Sequence, residues 1–174
     1  MKLKNKIAVI TGAGKGIGRA TAGIYLKEGA KTVLVSRTRG DLTGFEKEYS
    51  DFKENFITIN CDISLEESVN KVIIKTIDKF GRIDILVNNA GFGIFDNLVD
   101  SKTEDYDKMF NTNVRAVYLL TKGFLPYMIR QKEGTIISLT VVITGSAETK
   151  RRPENQQCRR QWPPTRLNQG RIKR

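Results

Sequence analysis

Five short apolar runs, each separated from the next by a helix-like stretch, constrain the first 144 residues more than any other feature. Residues 6–11 (Lys-Ile-Ala-Val-Ile-Thr) form a β-branched run that stops at Gly12 and reads as a buried strand. Residues 17–29 carry apolar residues at Ile17, Ala20, Ile24 and Leu26 and end on Gly29, a helix with its stop. A second strand follows at 32–36, a short helix at 41–50 and a third strand at 55–60. Ser64 with Glu67 has the capping-box spacing and predicts a helix with Val69, Val72, Ile73, Ile77 and Phe80 on its apolar face, stopped by Gly81. Residues 83–87 predict a fourth strand. Thr103 and Tyr106 open a helical stretch that continues through 114–127, and Gly134 introduces a fifth strand at 135–139. Strand and helix in strict alternation, with strands apolar on both sides, predict an α/β fold built on a doubly wound parallel sheet.

Composition narrows the chemistry. Hydrophobic residues at 39% and charged residues at 28% suffice for a buried core. No apolar run approaches the roughly 18–20 residues that cross a bilayer, and residues 1–10 lack the layout of a secretory signal. Two cysteines make no disulfide framework. With no histidine in 174 residues, Ser-His-Asp and Cys-His catalysis and every His-ligated metal site are excluded. A cytoplasmic protein with no metal site and no membrane contact is expected. The net charge of +11 is unevenly spread: residues 145–174 hold nine Lys and Arg against Glu148 and Glu154, leaving 21 basic against 17 acidic residues before them. Two parts are therefore expected: a domain over 1–144, and a basic tail over 145–174. The tail has no Val, no Phe and no apolar period, so disorder is the expectation there. Its arginines offer an alternative reading as a nucleic-acid binder, which the charge of the body does not support.

Thr11-Gly12-Ala13-Gly14-Lys15-Gly16-Ile17-Gly18 sits where the first strand meets the first helix. Glycines let the backbone turn sharply there, and a helix N-terminus offers free N–H groups and positive dipole to a pyrophosphate. A tight turn without a ligand is the alternative, and four glycines in seven positions exceed its needs. The end of the second strand, Ser36-Arg37-Thr38-Arg39, carries no carboxylate until Asp41. An acidic residue at that point would bond the ribose hydroxyls of NAD, whereas Arg37 can pair a 2′-phosphate, and Lys15 adds charge nearby. NADP is the favoured cofactor and NAD the alternative.

The spacing from Gly12 through Gly16 to Gly18 resembles the short-chain dehydrogenase/reductase family, whose signature is Thr-Gly-x3-Gly-Ile-Gly. Three further markers come in order: Cys61-Asp62-Ile63 after the third strand, Asn88-Asn89-Ala90-Gly91 after the fourth, and Asn111-Thr112-Asn113-Val114 in the central helix. The resemblance runs from residue 3 to about 144 and is nearest to the 3-oxoacyl-(acyl-carrier-protein) reductase-like branch. It implies a Rossmann-type sheet and an oxidoreductase that moves a hydride between nicotinamide and a small carbonyl or alcohol substrate. It implies cofactor contacts from Thr11, Gly12, Gly14, Lys15, Gly16, Ile17, Gly18, Ser36, Arg37, Asp62, Ile63, Asn89, Ala90 and Gly91. Asp62 would lie beside the adenine, Asn113 would be the catalytic Asn, and a full-length member would form a homo-oligomer. Taken singly, Asn88 and Asn89 also read as caps on a strand, and Asn113 as a polar residue on a helix.

The pattern then breaks. The family places a Ser after the fifth strand and Tyr-x-x-x-Lys beyond it, with Lys lowering the Tyr pKa so that it exchanges a proton near neutral pH. Here Val141 stands at the Ser position with Thr140 the nearest hydroxyl, and no tyrosine comes after Tyr127. The sheet is therefore expected to be incomplete after its fifth strand, which would be an exposed apolar edge. A reading-frame shift near residues 140–146 would explain both the tail and the lost pair. A one-nucleotide shift over the codons of residues 165–172 can encode Leu-Gly-Leu-Thr-Lys-Val-Ala-Leu, a phrase resembling the family's segment just after its Lys. The 174-residue polypeptide is expected to lack turnover, and a non-catalytic dinucleotide-binding module is the alternative function.

Overall fold

A computed structural model describes residues 1–139 of the chain. Thr140, the basic tail and the frame-shift region lie outside the described residues. Five strands, β1 (Ile7–Thr11), β2 (Lys31–Ser36), β3 (Phe56–Asn60), β4 (Ile85–Asn88) and β5 (Thr135–Ser138), form one sheet in the order β3-β2-β1-β4-β5. Every neighbouring pair is parallel, with Val9 level with Val33 and Leu86, and Leu86 level with Ile136. Between the strands run α1 (Gly16–Lys27), α2 (Arg39–Glu48), α3 (Glu66–Phe80), α4 (Thr103–Phe110) and α5 (Ala116–Gln131). This is a doubly wound, Rossmann-type sheet described as far as its fifth strand.

Side chains alternate across the pleat and so build two cores. Val9, Val33, Val35, Ile59 and Leu86 pack with Val69 and Val72 of α3 and with Ala116, Leu120, Phe124 and Met128 of α5. Ala8, Ile10, Leu34, Ile85 and Val87 pack with Ala22 and Leu26 of α1 and Leu42 and Phe45 of α2. The strands of the first, second and fourth runs are buried on both faces, as a parallel sheet requires. β5 is not: all four of its residues are exposed, and Ile136, Ile137 and Leu139 stand 38–41% open. No helix among the described residues is long and apolar enough to cross a membrane.

Several element boundaries differ from expectation by one to four residues, and two of them have identifiable reasons. The fourth strand begins at Ile85 rather than Ile83, because Asp84 is committed elsewhere. Its carboxylate, 3% exposed, accepts the Ile7 N–H at 2.8 Å and pairs with Arg82, whose pKa that bond raises. Its backbone joins β1 and β5 by donating to the Ile7 carbonyl at 2.9 Å and accepting from Thr135 at 2.8 Å. Asp84 thus aligns the starts of β1, β4 and β5, and the far ends of the first two carry the site. Replacing it with Ala leaves the buried Ile7 N–H without that acceptor, and a urea titration is expected to show a loss of about 2–3 kcal/mol. A loss under about 0.5 kcal/mol would mean that water satisfies the donor.

The third helix starts later than its capping-box spacing predicts. Leu65 occupies the cap position with no side-chain hydrogen bond, and α3 opens at Glu66. Ser64 instead donates its own N–H to the Asp62 carboxylate at 3.0 Å, an Asx turn that uses up the segment before the helix begins. The far end agrees with expectation, since Gly81 closes α3 in the left-handed region at φ 72°.

Candidate functional site

Chain connections leave β1 in opposite directions, toward β2 and β3 on one side and β4 and β5 on the other. The crevice at the carboxyl ends of β1 and β4 is the point where such sheets bind ligands. Three segments meet there: the glycine loop after β1, the Ser36–Thr38 turn after β2, and the Asn89–Gly91 turn after β4.

Packing explains three of the loop's glycines. A Cβ on Gly12, whose φ is +64°, would stand 2.8 Å from Asn89 Nδ2 and 2.9 Å from Ala90 Cα. One on Gly14 would meet Ser36 Oγ at 2.7 Å, and one on Gly18 would strike the Gly12 carbonyl. Gly16 differs: its φ is +57°, yet nothing lies within 4 Å of an added Cβ. It faces open space at the first residue of α1. No side chain caps that helix, and its first turn holds no acidic residue. Lys15 at the cap position and Ile17 are both exposed. The loop therefore offers an anion an open helix N-terminus with a cation beside it.

Thr11 and Asn89 lock two of the three segments together. The Thr11 hydroxyl, buried at the end of β1, accepts from the backbone N–H groups of Asn89 and Ala90 at 3.0 Å each. The Asn89 amide donates to the Thr11 carbonyl at 2.9 Å and the Gly12 carbonyl at 3.3 Å. Asn113 holds the continuation of that turn: its Nδ2 donates to the Phe92 carbonyl at 2.8 Å and its Oδ1 accepts the Phe92 N–H at 3.1 Å. Asn113 lies in a π-helical stretch, Asn111–Arg115, that joins α4 to α5. Such wide turns recur at functional sites because they re-aim side chains out of the regular helical register.

Two arginines follow β2, and the structure separates them. Arg39 bonds the Thr58 hydroxyl at 3.3 Å and pairs with Glu46 at 3.3 Å, so it serves to join α2 to β3. Arg37 makes no hydrogen bond among the described residues. Its guanidinium lies 3.8 Å from the Asp62 carboxylate and 5.4 Å from the centre of the Phe92 ring. Ser36 accepts the Thr38 N–H at 3.3 Å and closes the turn. Ile63, 6% exposed, belongs to the core beneath. Cys61, beside Asp62, is half-buried, and burial pushes its thiol up, away from thiolate chemistry at neutral pH.

Residues 6–151 match the family of short chain dehydrogenases. The chain belongs to that family. A curated relative, 3-oxoacyl-[acyl-carrier-protein] reductase of Thermotoga maritima, is 34% identical over 143 residues, covering 82% of this chain and 58% of the relative. A metagenomic short-chain oxidoreductase solved in complex with NADP has a TM-score of 0.78 at 34% identity, over 82% of this chain and 65% of that one. A short-chain dehydrogenase/reductase of Burkholderia phymatum, solved in complex with NAD, has a TM-score of 0.75 at 32% identity, over 79% of this chain and 50% of that one. The chain spans 58–63% of the length of the first curated relatives it matches.

Within this short-chain dehydrogenase, Tyr118 and Lys122 lie four residues apart on α5 and copy the spacing of the family's proton-transfer pair, with Lys122 Nζ 5.6 Å from the Tyr118 ring centre. The side of the helix decides against them. Ala116, Leu120, Phe124 and Met128 are the buried face of α5, and Tyr118, offset by two residues, is 59% exposed on the opposite side. Sequence reading missed Arg19. It reaches from α1 to the Gly14 and Asp41 carbonyls at 3.4 and 3.1 Å and lies 5.3 Å from the centre of the Phe45 ring. Its bond to Glu48 holds that carboxyl below its ordinary range. An arginine among helical residues carries no sequence signal of that reach.

Proposed function

We propose that this short-chain dehydrogenase binds a nicotinamide dinucleotide, NADP in preference to NAD, as the cofactor half of an oxidoreductase acting on a small carbonyl or alcohol. The observation that carries the reading is the uncapped N-terminus of α1, facing open space at Gly16 in a loop that packs on Ser36 at Gly14 and on Asn89 and Ala90 at Gly12. The residues fit the cofactor. Gly12, Gly14, Lys15, Gly16, Ile17 and Gly18 would hold the pyrophosphate, with Thr11 and Asn89 fixing the loop's shape. Ser36 and Arg37 would meet the 2′-phosphate, Asp62 and Ile63 the adenine end, and Ala90 and Gly91 the wall after β4. When bound, the nicotinamide supplies or accepts a hydride. Asn113 keeps the wall in place and, by the family's pattern, would support the proton relay; Thr140 would stand in for the Ser. A full-length member would self-associate. The neighbours solved with NADP and with NAD support a dinucleotide, and the 3-oxoacyl reductase relative supports a ketone substrate for the whole enzyme.

Arg37 has Asp62 and the Phe92 ring as neighbours but no side-chain hydrogen bond among the described residues, which leaves its N–H donors for a phosphate. Titration followed by nicotinamide fluorescence is expected to give tighter binding of NADPH than of NADH. Arg37→Asp should weaken NADPH by about ten-fold or more through the lost charge-assisted bonds and leave NADH binding as tight or tighter, since a carboxylate there can bond its ribose. Equal affinities in the wild type, or an Arg37→Asp variant that keeps NADPH, would remove the preference.

A further inference from the structure

Phe92 carries no charge and no polar side-chain atom, and no part of the dinucleotide pattern includes it. Its place is nonetheless unusual. Arg37 follows β2 and Phe92 lies beyond β4, and in the sheet these two strands flank β1 on either side. The contact of 5.4 Å between guanidinium and ring centre therefore spans the crevice above the glycine loop. A guanidinium over an aromatic face is held by the ring's quadrupole, and the planar group stacks where an ammonium would not. The backbone that carries the ring is held in place, since both backbone polar groups of Phe92 are tied to the Asn113 amide. The next support lies two residues on, where the Ile94 N–H meets the Met109 sulfur at 3.3 Å.

The other neighbour of Arg37 explains why such support matters. The Asp62 carboxylate stands 3.8 Å from the guanidinium, and because both groups are solvent-exposed this pair alone holds it only weakly. A 2′-phosphate arriving beside Asp62 would meet like charge, so the cation has to lie between the two. A flexible side chain, 55% exposed, reaches that position only at an entropic cost unless something holds it.

We propose that Phe92 is a positioning residue for cofactor choice: its ring, carried on a backbone that Asn113 holds, keeps the Arg37 guanidinium across the crevice, where it receives the 2′-phosphate of NADP. The inference rests on the dinucleotide reading above. Phe92 acts on the phosphate through Arg37 and contributes nothing to what NADPH and NADH share.

Binding of NADPH and NADH to the 174-residue chain, measured side by side, tests it. Phe92→Leu keeps an apolar side chain but removes the ring face, and is expected to weaken NADPH by about two- to five-fold, the worth of one exposed cation–π contact, with NADH unchanged. Phe92→Tyr, which keeps the face, should restore the wild-type ratio. In an Arg37→Met background Phe92→Leu should change neither affinity. Equal weakening of both nucleotides by Phe92→Leu, or an unchanged ratio, overturns the proposal while leaving the dinucleotide reading standing. A wild-type chain that binds neither nucleotide overturns the reading itself, and the proposal with it.

Discussion

Gly18→Ala is expected to lower the thermal midpoint by about 5–10 °C, the consequence of about 2–3 kcal/mol in a chain of this size. The added methyl would collide with the Gly12 carbonyl and lie 2.5 Å from Asn89 Nδ2. Both obstacles are fixed: the carbonyl is backbone, and the Asn89 amide is held by the Thr11 and Gly12 carbonyls. Relief would require α1 to move off β1, taking Ala22 and Leu26 out of the core they share with Ile10. Gly12→Ala should cost a similar amount, from the left-handed backbone at φ +64° and from contact with the Ala90 backbone. Two controls separate crowding from the mere loss of a glycine. Gly40→Ala in α2 meets nothing within 4 Å at an ordinary φ, and should be neutral or stabilising by up to about 1 kcal/mol. Gly16→Ala has open space but φ +57°, so it should cost about 1–2 kcal/mol. Differential scanning calorimetry of the four variants gives the order. A Gly18→Ala protein as stable as Gly40→Ala would show that the helix–strand approach is looser than these distances state.

That series also marks where the sequence was legible. The alternation of apolar runs and glycine stops revealed the strands and helices because a strand buried on both faces leaves a short continuous apolar run between turn residues. Asn113 was recognisable only by its register within a family pattern; alone, a polar residue on a helix says nothing of the Phe92 backbone it binds. Asp84 falls inside the strand expected at 83–87, and its three-strand junction exists only once the strands are side by side. Ser64 and Glu67 have the right spacing for a cap, yet the Asp62 side chain takes the Ser64 N–H first. The Arg37–Phe92 contact joins residues 55 positions apart in sequence across an intervening strand, and nothing local announces it. In each case short-range pattern was readable, and contacts assembled by the sheet were not.

The 174-residue chain is expected to bind reduced nucleotide and leave ketones unreduced. A hydride arriving at a carbonyl carbon leaves charge on the oxygen, and a positioned proton donor there is worth typically about 10²–10⁴ in rate. The chain has no histidine, and each of its five tyrosines is accounted for. Tyr25 and Tyr49 pack on the α1–α2 side, and Tyr127 packs on the α3–α5 side with Arg130 over its ring. Tyr106 stacks on Phe110, and Tyr118 is exposed on the outer face of α5. None comes after β5, where the family's pair belongs. Asn113 is no substitute, because an amide does not titrate in the useful range and both its ends are already bonded to Phe92. Ketone-dependent oxidation of NADPH should therefore not exceed the rate without protein, while fluorescence still reports binding. Joining a curated relative's segment from beyond the fifth strand, with its Tyr-x-x-x-Lys, after Ser138 should recover turnover, and changing that Tyr to Phe should abolish it again. The same addition covers Ile136, Ile137 and Leu139 along the open edge, so the thermal midpoint should rise with or without the Tyr hydroxyl. Turnover by residues 1–174 alone would mean that the proton comes from a group this geometry does not place at the crevice.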